Sequence, residues 1–192
     1  MSARTHLRRL AGMLGIAASL GGVLAGCGGG SSTVTVSGQA SRGGALSATY
    51  RGPHYALAVP AWRPFVTRSS TGRVNTGWST PGTGNFAILV TDDPHPQVSL
   101  DSAANTSAQS SRKAYQVSKQ SVVSAHVAGA RAAKLITDSG PHGVGPYHAS
   151  AQNDANLIVT TPSGAMINVL VVSHGAGNPD PMSVIDSFRL VG

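Results

Sequence analysis

The sequence predicts an α+β domain, in which an antiparallel β-sheet carries helices packed on its faces. Apolar and polar residues alternate over 54–59, as in a half-buried strand. Two further strand-like segments, 156–160 and 165–173, flank the sequence Thr161-Pro-Ser-Gly164, which is typical of a hairpin turn. Because strand patterns outnumber helical ones and a hairpin pairs its strands antiparallel, the pattern does not favour a series of βαβ units.

Three more segments have the pattern of strands. Residues 86–90 are apolar at every position, which is typical of a central strand covered on both faces. Residues 121–127 and 132–136 are rich in β-branched and small apolar residues, and Gly129 lies between them. The sequence therefore predicts a sheet of at least six strands.

Two segments have the pattern of helices. The segment 101–115 is rich in Ala and places Arg112 and Lys113 near its end, where the helix dipole favours cations. The segment 180–188 begins close to Pro181, at a position where a missing N–H costs nothing. We expect both helices to pack on the sheet.

The first residues have the order of an export and lipidation signal. A basic stretch with Arg4, Arg8 and Arg9 precedes sixteen uncharged residues, 10–25, too few to span a membrane as a helix. The string Leu24-Ala-Gly-Cys27 that follows resembles the bacterial lipobox, in which the Cys thiol receives diacylglycerol and becomes the first mature residue. This predicts a signal peptide over 1–26 and a lipid on Cys27. The alternatives are a signal cleaved without lipidation, or a short helix with an incidental Cys.

Composition divides the rest of the chain into a tether and one domain. After Cys27, residues 28–44 contain six Gly and four Ser, which predicts a flexible segment. Thr33–Val36 within it has the alternative of pairing as an isolated strand. Residues 45–192 contain no repeat or second linker, and their number suffices for one hydrophobic core.

Residue counts exclude several kinds of site. Cys27 is the single cysteine, which excludes an internal disulfide and a metal site with several thiolates. All seven acidic residues are Asp, so neither a Glu base nor an HExxH zinc site is possible. No Gly-x-Ser-x-Gly nucleophile motif occurs. The sequence therefore predicts no catalytic residue and no cofactor.

The histidines and the paired aspartates are the remaining candidates for chemistry. The segment from Asp92 to His95 and the segment from His142 to His148 could meet in a metal site built from loops, but we expect solvated loop histidines and predict no metal ligand. Asp92-Asp93 precedes Pro94, which is typical of a turn, and adjacent carboxylates point in different directions.

Charge and aromatic residues leave two questions open. The net charge is +7, and it falls to +4 without the three arginines of the signal. After Cys27, five arginines (42, 51, 63, 68 and 73) precede the first acid, and they either form a cationic face that rests on anionic lipid headgroups or are scattered over the surface. Trp78, in the Gly-rich segment 72–84, either contacts a glycan or lipid or packs on the sheet. For an exported protein, the basic charge does not predict nucleic-acid binding.

Four strings, in this order, carry a resemblance to a known family. They are Tyr55-Ala-Leu-Ala-Val-Pro-Ala-Trp62, Asn85 to Thr91 with the helix after it, Val127-Ala-Gly-Ala-Arg-Ala-Ala133 and Ile185-Asp-Ser-Phe-Arg189. Together they resemble the PsbP-like α/β/α sandwich of actinobacterial lipoproteins of the LpqN/LpqT kind, over about residues 50–191. The resemblance implies a binding or accessory module without general catalytic residues. It implies core positions for Trp62 and Phe188.

These patterns lead to one expectation and two alternatives. We expect a lipid-anchored protein on the extracytoplasmic face of the cell membrane that binds an envelope lipid, glycolipid or protein without catalysis. The alternatives are a cell-envelope hydrolase that uses loop His and Asp residues, and a structural adaptor of a membrane complex. An enzyme requires His and Asp within hydrogen-bond reach in a cleft, whereas an adaptor requires an exposed apolar patch or a bare sheet edge.

Overall fold

A computed structural model of the chain describes residues 32–39, 46–81, 85–115, 117, 119–142, 149–175 and 177–191. The strands are β1 Thr33–Val36, β2 Ala48–Arg51, β3 Tyr55–Val59, β4 Phe65–Arg68, β5 Val74–Ser79, β6 Phe86–Asp93, β7 Lys119–Val127, β8 Ala132–His142, β9 Ala149–Thr160, β10 Met166–His174 and β11 Arg189–Leu190. The helices are α1 Leu100–Tyr115 and α2 Pro181–Asp186.

The strands form two sheets. The large sheet has eight strands in the order β1-β7-β8-β9-β10-β6-β5-β4, and the small sheet has three in the order β11-β3-β2. All described pairs are antiparallel except β1 with β7, which is parallel. The predicted α+β class, an antiparallel sheet with helices packed on it, is confirmed.

The main core lies between the large sheet on one side and the small sheet with α2 on the other. Its largest fully buried side chains include Tyr55, Leu57, Trp78, Phe86 and Phe188. The helix α2 starts at an Asp180 cap, whose carboxylate accepts a hydrogen bond from the Met182 N–H at 3.0 Å. A second, smaller core lies on the opposite face of the large sheet, which we name the α1 face. There Ala104 and Ala108 of α1 pack against three sheet residues, Ile136, Ile158 and Met166.

Strand direction defines two ends of the large sheet. The end at which β6 finishes with Asp93 and β10 begins with Met166 is named the upper end. The lower end is the one at which α1 finishes and β7 begins with Lys119. These two names are kept below.

The predicted tether contains a strand of the large sheet, β1. Thr33–Val36, which the composition places in a flexible segment, pairs residue by residue with Ser124–Val127. Its Val and Thr residues are β-branched, and β7 offers an open edge. The alternative that this segment pairs as a strand is therefore confirmed. Val36 is buried in the main core.

Trp78 lies in strand β5 and not in a loop. The sequence places Trp78 in a Gly-rich loop, but Val74–Ser79 form a strand between β4 and β6, and the Trp78 side chain is 2% exposed. The Trp78 ring also meets Tyr50 edge to face at 4.9 Å between centroids. Trp78 is therefore a core residue and does not contact a ligand from a loop. Trp62 packs against the same core, and Phe188 lies within it, in agreement with their expected roles.

Candidate functional site

The paired aspartates end a strand and do not form a turn. β6 continues through Asp92 and Asp93, because each finds a basic partner that stabilises its carboxylate. Asp92 lies on the core side, where both its oxygens meet Nδ1 of His54, at 3.0 and 2.9 Å. Asp93 lies on the α1 face and accepts from Nε and a terminal nitrogen of Arg73, the former at 2.9 Å. The two carboxylates therefore lie on opposite faces of the sheet, as adjacent strand positions dictate.

The His54–Asp92 pair joins the two sheets at the upper end. The Asp92 side chain is 3% exposed and that of His54 is 42% exposed. The His54 carbonyl also accepts from the Val191 N–H at 3.0 Å. Among the described residues, the ring of His54 makes hydrogen bonds to Asp92 alone, without a Ser, Thr or Cys nucleophile. The pair is thus a connection between β6 and the segment before β3.

Tyr55 lies beside this pair, buried against it. Burial raises the pKa of its hydroxyl, and the Asp92 and Tyr50 side chains add to the rise, whereas Thr76 opposes it. The Tyr55 ring also stacks on Phe188 at 6.3 Å between centroids. Its hydroxyl therefore stays protonated in conditions that ionise an exposed tyrosine.

This raised pKa predicts a pH dependence of stability. The folded state keeps the Tyr55 proton above the ordinary value near 10, whereas the unfolded chain releases it, so rising pH favours unfolding. We expect the free energy of unfolding to fall above pH 10 by up to about 1.4 kcal/mol per pH unit through this group. In urea unfolding between pH 8 and 11, Tyr55→Phe is expected to lose this part of the slope, while Tyr50→Phe keeps most of it, because burial is the largest cause of the shift. Equal slopes in all three proteins would contradict the assignment.

The predicted loop histidines do not come together. His95 follows β6 at the upper end, where its backbone N–H donates to Asp93 Oδ1 at 3.0 Å. His142 ends β8 at the lower end, and His148 is outside the described residues. The alternative of a metal site shared by the two segments is therefore wrong for His95 and His142, which lie at opposite ends of the sheet. In the described part of the chain, no group of three or more His, Cys or Asp residues is placed to hold a metal ion.

The described arginines favour the second of the two alternatives, a scattered surface. Arg51 and Arg68 close β2 and β4 at the upper end, and Arg73 there is paired with Asp93. Arg63 lies in the connection that enters β4 at the lower end. Arg42 is outside the described residues, as is Cys27. The described arginines before β6 accordingly lie at both ends of the sheet and do not form one surface.

A different surface, which the sequence did not predict, lies on the α1 face. The helix packs on β8 and β9 and less on β7, and beyond it an apolar row crosses the sheet. Phe65, Gly77, Leu89 and Leu170 are successive partners in the strand register, and the three large side chains are partly exposed. The Phe65 ring covers Gly77 so closely that a Cβ there would lie 2.2 Å from it.

Acceptor oxygens border this apolar row. Asn156, the next partner of Leu170, donates from Nδ2 to Ser107 Oγ of α1 at 2.6 Å. Its Oδ1 is buried and accepts no hydrogen bond from the described residues, and the same holds for Asn168 Oδ1 and Asp138 Oδ1. We name Phe65, Leu89, Leu170, Asn156 and Asn168 the mixed face. An unpartnered buried acceptor is costly, so Asn156 and Asn168 together indicate a place for hydrogen-bond donors.

The sequence contains a signal for this cluster, though a weak one. In β9, Asp154 and Asn156 alternate with Ala155 and Leu157, which are in the main core. Period-two alternation thus predicts a polar face, but only the register places Asp154 opposite Asp138, with both buried.

The described residues include no helix with the length and apolar character needed to cross a bilayer. In comparisons with known proteins, no family model matches the chain. No curated protein matches it either.

Proposed function

We propose that the protein is a lipoprotein, anchored through Cys27 on the extracytoplasmic face of the cell membrane, whose domain binds an amphiphile without catalysis. The ligand class is an envelope glycolipid, with acyl chains and a headgroup rich in hydroxyls. The observation that carries the binding role is the mixed face, where unpartnered acceptor oxygens lie directly beside a partly exposed apolar row.

The chemistry of the two halves supports this ligand class. Phe65, Leu89 and Leu170 offer aliphatic and aromatic surface to an acyl chain. Sugar hydroxyls are donors, and Oδ1 of Asn156 and of Asn168 are acceptors without a partner among the described residues. A purely apolar ligand would leave those oxygens unpaired, and a purely polar one would gain nothing from the row.

The site also favours binding over hydrolysis. The His–Asp contact of the described residues connects two sheets at the upper end and has no nucleophile within hydrogen-bond distance. The lipobox order around Cys27, together with the resemblance to envelope lipoproteins, supports the location. The α+β sandwich is the fold class that this resemblance implies.

Lipid extraction of the full chain tests the proposal. The protein is purified in mild detergent from its native membrane, and the extract is analysed by mass spectrometry. We expect a defined glycolipid in the parent and about tenfold less in Leu170→Gln, because burial of a leucine side chain contributes about 1.5–3 kcal/mol.

Val66→Gln is the matched control, since Val66 neighbours Phe65 but is exposed on the other face of the edge strand β4. It is expected to retain the lipid of the parent. If Leu170→Gln carries as much lipid as Val66→Gln, the mixed face is not the binding site. A stoichiometric protein partner without lipid would contradict glycolipid binding and favour the adaptor.

A further inference from the structure

We infer that the lower end of the sheet rests on anionic phospholipid headgroups, with a basic patch of Arg112, Lys113 and Lys119 against the bilayer. This inference rests on the proposed lipid at Cys27 and adds an orientation and a lipid charge to it. The occupant of the patch is the membrane surface itself.

Only a short length of chain separates the proposed anchor at Cys27 from β1. Thr33 follows Cys27 by six residues, and a fully extended chain covers at most about 3.6 Å per residue, or about 22 Å. A coil over all of 28–44 would have left the domain free to move away from the bilayer. Because β1 belongs to the sheet, the distance from the anchor to the folded domain is much shorter.

Strand direction supplies the second step. β1 is parallel to β7, so the chain before Thr33 enters from the lower end, and Thr33 is level with Ser124. Lys119 lies five residues nearer the lower end on β7, or about 17 Å at about 3.3 Å per residue. The anchor therefore reaches at most about 5 Å beyond the level of Lys119 in that direction. When the lower end faces the bilayer, it therefore lies against the headgroups.

Charge supplies the third step. Arg112 and Lys113 are in the last turn of α1 and Lys119 opens β7, so all three lie at the lower end, and all three are exposed. None of them belongs to an ion pair of the described residues, which are His54–Asp92, Arg73–Asp93 and Lys134–Asp101. The nearby acids Asp138 and Asp154 are buried beneath α1, and Asp180 is exposed at the same end. Among the described residues, the exposed charge of this end is positive, which fits an anionic surface.

Label quenching in vesicles tests the orientation. The full-length protein, lipidated in a bacterial host, is reconstituted into vesicles of phosphatidylcholine with 30% phosphatidylglycerol and a headgroup quencher. Because the lipid occupies the single native thiol in this proposal, a fluorophore can be placed through Ser121→Cys beside the patch or through Thr71→Cys at the upper end, both exposed. We expect strong quenching at 121 and weak quenching at 71.

Charge removal provides the second measurement. Lys or Arg near an anionic surface contributes about a factor of five each, so Arg112→Gln, Lys113→Gln and Lys119→Gln together are expected to lower the ratio of docked to undocked protein about 100-fold. The quenching at 121 should then fall to the level found in vesicles of phosphatidylcholine alone. The matched control replaces the exposed upper-end Arg51, Arg68 and Arg131 with Gln and is expected to change nothing.

The failures of the two proposals are distinguishable. If the protein carries lipid and stays on the vesicles, but position 71 is quenched as strongly as 121, the orientation is wrong and the lipoprotein proposal stands. If the triple variant leaves the quenching at 121 unchanged, the orientation is likewise wrong and the lipoprotein proposal stands. If the reconstituted protein carries no lipid on Cys27, both proposals are overturned.

Discussion

Cys27→Ser is expected to abolish attachment of lipid to the protein. The parent should incorporate labelled fatty acid, whereas the variant should incorporate none, because Ser has no thiol for the diacylglyceryl group. Each buried acyl CH₂ contributes about 0.8 kcal/mol to membrane binding, and two chains hold a protein stably where one does so only marginally. Any variant molecules that are exported and trimmed should therefore appear in the extracytoplasmic fluid.

The control for this prediction is Ser32→Ala, which lies between the lipobox and β1 and should leave labelling and membrane retention unchanged. A Cys27→Ser protein that is exported, trimmed and retained as fully as the parent would contradict a lipid anchor. The measurement therefore combines fatty-acid labelling, electrophoretic size and membrane fractionation.

Trp78→Ala is expected to lower the free energy of unfolding by about 3–5 kcal/mol, which is a large part of the stability of an ordinary domain. The Trp78 side chain is 2% exposed on β5, faces the main core and contacts Tyr50. Its removal leaves a cavity that surrounding strands cannot fill without shifting. Urea unfolding followed by circular dichroism measures the effect.

Val66→Ala is the comparison for Trp78, because Val66 is 47% exposed on the edge strand β4. It is expected to change the free energy of unfolding by less than about 0.5 kcal/mol. A Trp78→Ala protein as stable as the parent, but with weaker lipid binding, would instead support a ligand-contacting tryptophan.

Strong periodicity predicted most of the elements correctly. The segments 86–90, 121–127 and 165–173 lie almost entirely within strands of the structure, and 101–115 lies within α1. These elements bury a continuous apolar face, so their local pattern and their tertiary packing agree. The helix predicted over 180–188 is shorter, because Asp180 caps its start, Ser187 caps its end and Arg189 begins β11.

The strands that the sequence did not predict depend on their neighbours. β4 is exposed along most of its length, and β5 contains Gly77, which weakens a strand pattern but here accommodates the Phe65 ring. β1 acquires its hydrogen bonds from the edge of β7, which is ninety residues away in the chain. Periodicity within a short window contains no information about such partners.

The mixed face was beyond prediction for the same reason. Leu89, Leu170 and Asn156 are distant in sequence and adjacent only through the register of β6, β10 and β9. The Asp92–Asp93 pair was predicted only in part. The carboxylates point in different directions as expected, because successive side chains of β6 lie on opposite faces, but the predicted turn is wrong. Their partners, His54 and Arg73, again required the fold.

Mass spectrometry of the mature N-terminus tests the central proposal, a lipid-anchored domain, most directly. The protein extracted from its native membrane is digested, and the N-terminal peptide is sequenced and weighed. We expect a peptide that begins at Cys27 and carries a thioether-linked diacylglyceryl group, with residues 1–26 removed. A mature chain that begins elsewhere, or a Cys27 thiol that remains free to alkylation, would contradict the anchor and the membrane orientation that depends on it.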